Sequence, residues 1–429
     1  MKNRMPRSPR KLRAGSRTVL GPRVLLCVVA LLSAPVLVLA QRDSSSAAVA
    51  PGLTLRDAVD SALRHNPDLR IARSGADSAR AELRLARAFA NPAFTSIPGP
   101  PTQYAASIPL DIGPRRSFRV SASRLGAEAT EQDARDSTRH LILAVRRAFY
   151  DVLLADARRT IVDERRTVVQ QLVSADSVRV RAGDLPERAL IRGEVELVRT
   201  EADVARAAVD AQTTRLELET LMGIPAPDTA LRVRGDMRYR GVSIDEQTAV
   251  QTAMAIRPDM AASRRREDQS RALRHLAGAS AFPVPLLSYV RQLNTPFPSG
   301  RYGALGIGVE VPLLTQYRGL RDRAEAGEVS ARAARLRVEA QVTTDVRSAI
   351  AEFRAEQALV QRYEGGVLAK VTRNVEATRY AYSRGATSLL DVLDALRAEQ
   401  DVLTDYSKAL HDYWIATYSV DAAEGGGQD

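Results

Sequence analysis

The chain has 429 residues, 45% of them hydrophobic and 26% charged, a balance that excludes a disordered chain. Its single cysteine excludes a disulfide framework, a thiolate zinc site and a dithiol redox pair. The net charge of +11 invites a nucleic-acid partner, but residues 1–40 hold eight basic residues and no acid, and the remainder carries only +3, so no nucleic acid is expected.

Those first forty residues read as an export signal. Residues 1–23 are basic, residues 24–40 are almost wholly apolar, and Val38-Leu39-Ala40 is a small-residue cleavage pattern ahead of polar Gln41-Arg42-Asp43. The competing reading, a membrane anchor, fits less well with Pro35 and the cleavage pattern. Cys27 follows Leu26 rather than a small residue, so no lipid anchor is expected. No other stretch reaches the roughly 18–20 apolar residues that a spanning helix needs. The mature chain is therefore expected in the periplasm, outside the cell, or in an outer membrane as β-structure.

The next segment, residues 54–92, reads as a helix running to Asn91-Pro92, and residues 245–283 repeat it up to Phe282-Pro283. Pro67-Asp68-Leu69 in the first matches Pro258-Asp259-Met260 in the second. Further pairs follow in the same order: Ile108-Pro109-Leu110 with Val311-Pro312-Leu313, Gly183 with Gly385, and Leu221-Met222-Gly223 with Ala423-Glu424-Gly425. Pro109 to Gly183 spans 74 residues and Pro312 to Gly385 spans 73, while the later glycine pairs are both 40 apart. An internal duplication organises the chain. Its expected parts are a signal at 1–40, a first repeat at 41–223, a linker at 224–244, a second repeat at 245–425 and a tail at 426–429.

Within each repeat the helix is followed by two short strands. Ala106, Ile108, Leu110 and Ile112 alternate with Ser107, Pro109 and Asp111, and Leu305, Ile307, Val309, Val311 and Leu313 alternate with Gly306, Gly308, Glu310 and Pro312. An apolar row opposite a small or polar row suits a barrel wall between lipid and water. Further candidates at 93–97 and 286–293 give four strands per chain. Four strands cannot close a barrel, so several chains must share one. Pro92, Pro98, Pro100, Pro101 and Pro109 crowd the first hairpin, which is expected to be short.

Very long helices come next. No proline falls between Pro114 and Pro186, nor after Pro312, and a helix over 116–181 would run about 100 Å. Leu141, Val145, Ala148, Val152 and Ala155 recur at helical spacing, as do Leu389, Val392, Leu393, Leu396 and Leu403. A solvated coiled coil would explain the helices equally well; the strands decide against it. Gly183-Asp184-Leu185 and Gly385-Ala386-Thr387 occupy the helix-to-helix turns, where glycine tolerates a positive φ. Asp391 and Asp394, at i and i+3, share one helix face.

This ordered set resembles the TolC-type outer membrane efflux protein family across about residues 52–425. The most specific piece is Tyr382-Ser383-Arg384-Gly385-Ala386-Thr387-Ser388-Leu389-Leu390-Asp391-Val392-Leu393-Asp394-Ala395, which resembles the family's second helical turn at the periplasmic tip. The opening Leu53-Thr54-Leu55 with Asn66-Pro67, and the 193–223 helix ending in Leu-Met-Gly, resemble it too. The resemblance implies a mainly α protein with a small β part: a homotrimer whose long antiparallel hairpins form an α-barrel below a shared outer-membrane β-barrel of twelve strands. It implies the exit duct of a tripartite efflux pump for small molecules or metal ions, in contact with outer-membrane lipid, docked on a periplasmic membrane-fusion adaptor and through it on an inner-membrane pump. It implies no cofactor, no metal and no catalysis.

By the same resemblance the residues of the two turns form the adaptor-contact tips. Asp391 and Asp394 resemble an acidic constriction in which threefold symmetry would crowd six carboxylates, favouring cations and raising each other's pKa. Tyr382 resembles a gate tyrosine that helps tie the helices shut. The pattern departs nearby. Thr387 stands where a well-known member has Arg, and Ala189, preceded by Arg188, stands where an acid is expected, so the closing links must differ.

Enzyme signals are weak. His65, His140, His275 and His411 lack metal-site spacing, and Gly306-Ile307-Gly308 is a bare G-x-G inside a strand. Two other readings stay open: a duct for type I protein secretion, and a soluble periplasmic coiled-coil adaptor, which would lack membrane strands.

Overall fold

The computed structural model describes residues 52–226, 231–295, 300–309 and 317–426. The export signal, Val311-Pro312-Leu313 and the last three residues of the tail lie outside them. The described chain opens with α1 (Leu55–His65) and α2 (Pro67–Arg87). Thr54 and Asp57 form a capping box at the start of α1. The continuous helix expected here is divided at Asn66-Pro67, because proline lacks an N–H and pushes Asn66 out of the helical region, to ψ 127°. Asn66 fills the break. Its side chain accepts from the amides of Asp68 and Leu69 at 2.9 and 3.1 Å and donates to the Leu221 carbonyl at 2.9 Å.

The second repeat breaks at the matching place, between α5 (Glu246–Ile256) and α6 (Pro258–Ala279). Here Arg257 holds the junction, pairing with Asp259 at 2.7 Å and Asp345 at 3.1 Å while buried itself. The duplication thus preserves the backbone break and replaces the group that fills it.

Between these helices and the long ones lie the strands, β1 (Ala93–Ile97), β2 (Thr102–Pro109), β3 (Pro285–Thr295) and β4 (Gly300–Val309). They form one antiparallel sheet in the order β1-β2-β3-β4, so the hairpin of each repeat joins the other along β2 and β3. Pro98, Pro100 and Pro101 fall in the turn and Pro109 ends β2, which keeps the first hairpin to 5 and 8 residues against 11 and 10 in the second.

Directly paired residues share a face. One face carries Phe94, Ala106, Tyr289 and Leu305 in a row, then Ile108, Leu287 and Ile307. The other carries Ser107, Ser288 and Gly306, then Ala105, Val290 and Ala304, then Gln103 and Gln292. The apolar row is bare in the single chain: Phe94, Leu305 and Ile307 are 79%, 77% and 79% exposed.

From the sheet runs α3 (Pro114–Arg181), whose 68 residues give about 100 Å at 1.5 Å per residue. Its partner α4 (Glu187–Leu221) returns beside it. In the second repeat α7 (Arg318–Arg362) passes through a π-helical turn, Tyr363–Val367, into α8 (Leu368–Ser383), and α9 (Leu389–Glu424) returns. Proline's absence predicted an unbroken helix here. Gly366, at φ 120°, interrupts it with a backbone that side-chain-bearing residues rarely adopt. No such break occurs in α3.

The helices are held at mid-length. Ala58 and Ala62 of α1 pack on Val145, Phe149 and Val152 of α3, while Ala249 and Ala253 of α5 pack on Val346, Ile350 and Phe353 of α7 and on Tyr413 of α9. Trp414 touches both clusters and stacks on Tyr150 and Tyr418 at 5.8 and 5.9 Å. The linker crosses this girdle as extended chain; the amide of Leu53 donates to the Arg232 carbonyl and that of Arg234 to the Leu53 carbonyl, both at 2.8 Å. Each fully buried Val, Ile or Phe contributes roughly 1.5–3 kcal/mol. Packing of this kind, more than helix propensity, fixes such helices against one another.

Candidate functional site

The two helix-to-helix turns are built alike. Gly183 follows α3 at φ +84° and Gly385 follows α8 at φ +74°. The amide of Asp184 donates to the Arg179 carbonyl at 2.8 Å and that of Ala386 to the Ala381 carbonyl at 2.9 Å, while each glycine amide closes the tighter inner bond at 3.0 Å. Both are Schellman ends. Gly223 and Gly425 finish α4 and α9 with the same bond pattern and positive φ. All four glycines paired by the duplication therefore have one backbone role.

Past the second turn, Ser388 caps α9 in a capping box with Asp391. The Asp391 carboxylate accepts from Thr387 Oγ1 at 2.6 Å and from Ser388 N and Oγ at 2.9 and 2.7 Å. These bonds hold its pKa below the ordinary carboxylate range. The expected crowding of like charges points the other way; within one protomer the capping bonds set the direction. Asp394 lies on the same exposed face, as the i, i+3 spacing predicts, and meets Arg397 at 3.2 Å. Val392, Leu393, Ala395 and Leu396 turn inward onto Val169, Val375 and Tyr382.

Tyr382 is buried in that cluster and its hydroxyl lies 2.7 and 2.8 Å from the two carboxylate oxygens of Asp176 on α3. Burial, then the Asp176 carboxylate, push the phenol pKa up. Arg179 stands over the ring at 5.5 Å and lies 3.7 Å from Asp176. Further along, Glu196 of α4 is buried between Arg165 of α3 and Arg397 of α9, the latter at 2.6 Å, and Arg165 also donates to Gln400. The structure therefore brings Tyr382, Asp391 and Asp394 to one end with both turns. It adds Asp176, Glu196 and Arg165, which no sequence motif marked.

Elsewhere, His411 turns Nδ1 to the Asp412 carboxylate and Nε2 to that of Asp151, 2.8 Å from each, and as an imidazolium it donates to both, while His275 stacks on Phe118 at 5.2 Å. Among the described residues no cluster of His, Cys, Asp or Glu could hold a metal ion, and no helix is long and apolar enough to cross a membrane. At this end Asp176 ties α3 to α8, and Glu196 with Arg165 and Arg397 ties α3, α4 and α9 together.

The sequence model of a family described as outer membrane efflux protein matches residues 102–224 and 249–426, well over half of the chain. Among solved structures, the Campylobacter jejuni CmeC outer membrane channel is similar at 16% identity, covering 87% of this chain and 86% of that one with a TM-score of 0.77. The open state of the Neisseria gonorrhoeae MtrE outer membrane channel is similar at 18% identity over 87% and 89%, with a TM-score of 0.73. The Vibrio cholerae outer membrane protein VceC is similar at 18% identity over 87% and 97%, with a TM-score of 0.72. At these identities the likeness is one of fold. Curated proteins give no match.

Proposed function

The chain belongs to the outer membrane efflux protein family, and from that premise we propose that it is the outer-membrane exit duct of a tripartite pump exporting small molecules or metal ions. The observation that carries this reading is the four-stranded sheet, one face of which holds two apolar rows with Arg291 and Arg301 toward its hairpin end, with one unpaired edge on β1 and one on β4. Open edges are not tolerated in lipid. Three copies, each setting β4 against the next copy's β1, close a barrel of twelve strands, four from each. Phe94, Leu305 and Ile307 then meet lipid, and Ser107, Ser288 and Gln292 meet water. The long helices of the three copies continue the bore through the periplasm.

In this reading residues 1–40 are the export signal, the repeats 41–223 and 245–425 each supply one hairpin of strands and one of helices, and 224–244 belts the middle. Gly183-Asp184-Leu185 and Gly385-Ala386-Thr387 meet a periplasmic adaptor that joins the duct to an inner-membrane pump. Asp391 and Asp394 line the constriction, and Tyr382 holds it closed. Transport is driven by the pump, so no cofactor or reacting group is required of this chain.

The test is the native mass of the protein extracted from the outer-membrane fraction in mild detergent, followed by conductance in a planar bilayer. A trimer that conducts ions is expected. A soluble monomer or dimer would overturn the shared barrel and favour a coiled-coil adaptor.

A further inference from the structure

We propose that the inner wall of the duct, just below the strands, binds amphipathic organic anions in a trough formed by α3, α6 and α7, an inference that rests on the reading of the chain as a duct. The trough holds about 460 Å³, a volume that suits a small-molecule ligand. Arg115 stands at the start of α3, Leu320 at the start of α7 and Ser280 at the end of α6, so the trough lies at the helix ends nearest the sheet.

Its charge is one-sided. Arg115, Arg119 and Arg323 line it, and among the described residues no acid does. Arg119 is neutralised by Asp111 at 2.5 Å. Arg115 and Arg323 make no hydrogen bond, ion pair or ring contact among the described residues. The acids of α7 are engaged or turned away. Glu328 meets Arg274 at 2.9 Å, and at about 100° per residue Asp322 and Glu325 fall on the side of α7 opposite Leu320 and Arg323. Beside the arginines the surface is apolar, with Leu273 and Leu320 43% and 42% exposed. Gly327 leaves room in the trough, since a Cβ there would meet no atom within 4 Å. Two unpaired guanidiniums next to apolar surface fit a carboxylate, sulfonate or phosphate head on an apolar body.

Chain geometry turns this trough toward the bore. The helices lie side by side in the order α2-α3-α6-α7, as the strands do, so α6 is inside the wall of one copy and not at a boundary between copies. The Leu110 amide donates to the Pro285 carbonyl at 2.7 Å, so Pro285, Leu287 and Tyr289 turn their backbone polar groups toward β2. With Leu287 and Tyr289 facing lipid, the L-configuration places β2 to the right of β3, seen from outside with the strands above the helices. Thus α3 stands to the right of α6 and α7 to its left. Ala272 packs on Ala122 of α3, and Arg274 reaches Glu328 of α7. A right-handed helix rising between them must carry Leu273, the residue between, to the inner side. Three copies then set two unpaired guanidiniums each around the neck of the bore.

The test records ion current through the purified trimer in a planar bilayer as naphthalene-2-sulfonate is added, with uncharged 2-naphthalenemethanol and cationic 2-naphthylmethylammonium for comparison. The sulfonate is expected to block at concentrations about tenfold lower than either. Arg115→Gln with Arg323→Gln should remove that preference, and Arg115→Lys with Arg323→Lys should keep part of it. Gly327→Leu fills the trough without altering its charge and should weaken the block. Equal block by the three compounds would overturn the inference, as would a sulfonate preference that persists in the double Gln variant or a block unaltered in the Leu variant. Anionic phospholipid that co-purifies with the parent and is lost from the double Gln variant, with no block by the sulfonate, would put the trough on the lipid side and overturn the bore site. If the unsubstituted protein forms no conducting trimer, the duct reading itself fails and this inference falls with it; a conducting trimer with charge-indifferent block overturns the inference alone.

Discussion

The Tyr382 hydroxyl and the Asp176 carboxylate, 206 residues apart in the chain, meet at 2.7 Å and tie α8 to α3 just behind the two turns. Asp176 is 1% exposed and its other charged neighbour, Arg179, is 3.7 Å away. Removing the phenol oxygen therefore leaves a buried carboxylate short of a donor. Tyr382→Phe should lower stability by about 1–3 kcal/mol and raise the resting conductance of the duct. Adding Asp176→Leu should cost less than the sum of the two single changes, because it removes the stranded acceptor. Thermal unfolding and single-channel recording of the three variants check this; a Phe variant that matches the parent in both would show the tie to be idle.

Asp391 and Asp394 share a face but differ in surroundings. Asp391 is bound into the cap with Thr387 and Ser388, whereas Asp394 meets only Arg397. Asp394→Asn should reduce cation selectivity and block by multivalent cations, with little effect on folding. Asp391→Asn should reduce selectivity and also weaken the cap. Ser388→Ala separates the two roles, since it removes a cap partner and keeps the charge. Because the Asp391 pKa is depressed in the folded state, the cap's contribution is present above the unfolded carboxylate pKa, near 4, and is lost as pH falls through the folded value. Reversal potentials that follow Ser388→Ala instead of the two acids would remove Asp391 and Asp394 from the bore.

Much of this architecture was legible in the chain. Period-two alternation placed Leu305 and Ile307 on one face, proline spacing allowed α3 its length, and the duplication matched Gly183 with Gly385. The break at Asn66-Pro67 was visible as residues, but the helical pattern on both sides masked it. Asp176 and Glu196 could not be read at all. Each is one acid among many on Arg- and Glu-rich helices, and spacing cannot distinguish a solvated acid from one buried against a helix of the other repeat.

Gly366 marks the clearest difference between the repeats. Its φ of 120° lies in the π-helical turn, about four helical turns before Tyr382, and a Cβ there would meet no atom within 4 Å. Gly366→Ala therefore tests the backbone alone and should cost about 1–3 kcal/mol. Gly365→Ala, equally uncrowded and with no positive φ, should be neutral or mildly stabilising, since alanine favours helix. Equal melting temperatures for the two variants would mean that the break relaxes without strain.

His411 should make stability depend on pH. Burial alone would lower its pKa, but hydrogen bonds to Asp151 of α3 and Asp412 of α9 outweigh it, and the imidazole is held above its ordinary value of 6.5. Lys408 and Glu356 act on the same cluster through Asp412. A raised folded pKa means that the folded state binds the proton more tightly. Its stabilisation is complete below about pH 6.5 and is lost as pH rises through the folded value. His411→Gln should flatten the fall in melting temperature across that window. An unchanged slope in the Gln variant would assign the dependence to other groups.

The two faces of the sheet offer the most direct test of the barrel. Ile307 and Ser288 lie one row apart but on opposite faces, and Ser288 looks across at Gly306, where no side chain competes for space. If the apolar face meets lipid, Ile307→Lys must bring an ammonium to the bilayer, at about 2–4 kcal/mol near the midplane. If the opposite face lines a watery bore, Ser288→Lys keeps its charge hydrated. Ile307→Lys should therefore abolish recovery of the trimer from the outer-membrane fraction, and Ser288→Lys should assemble and shift conductance toward anions. The same lysine at neighbouring depth thus separates facing from position along the barrel. Equal recovery of the two would mean that neither face is committed to lipid, and the reverse order would turn the barrel inside out.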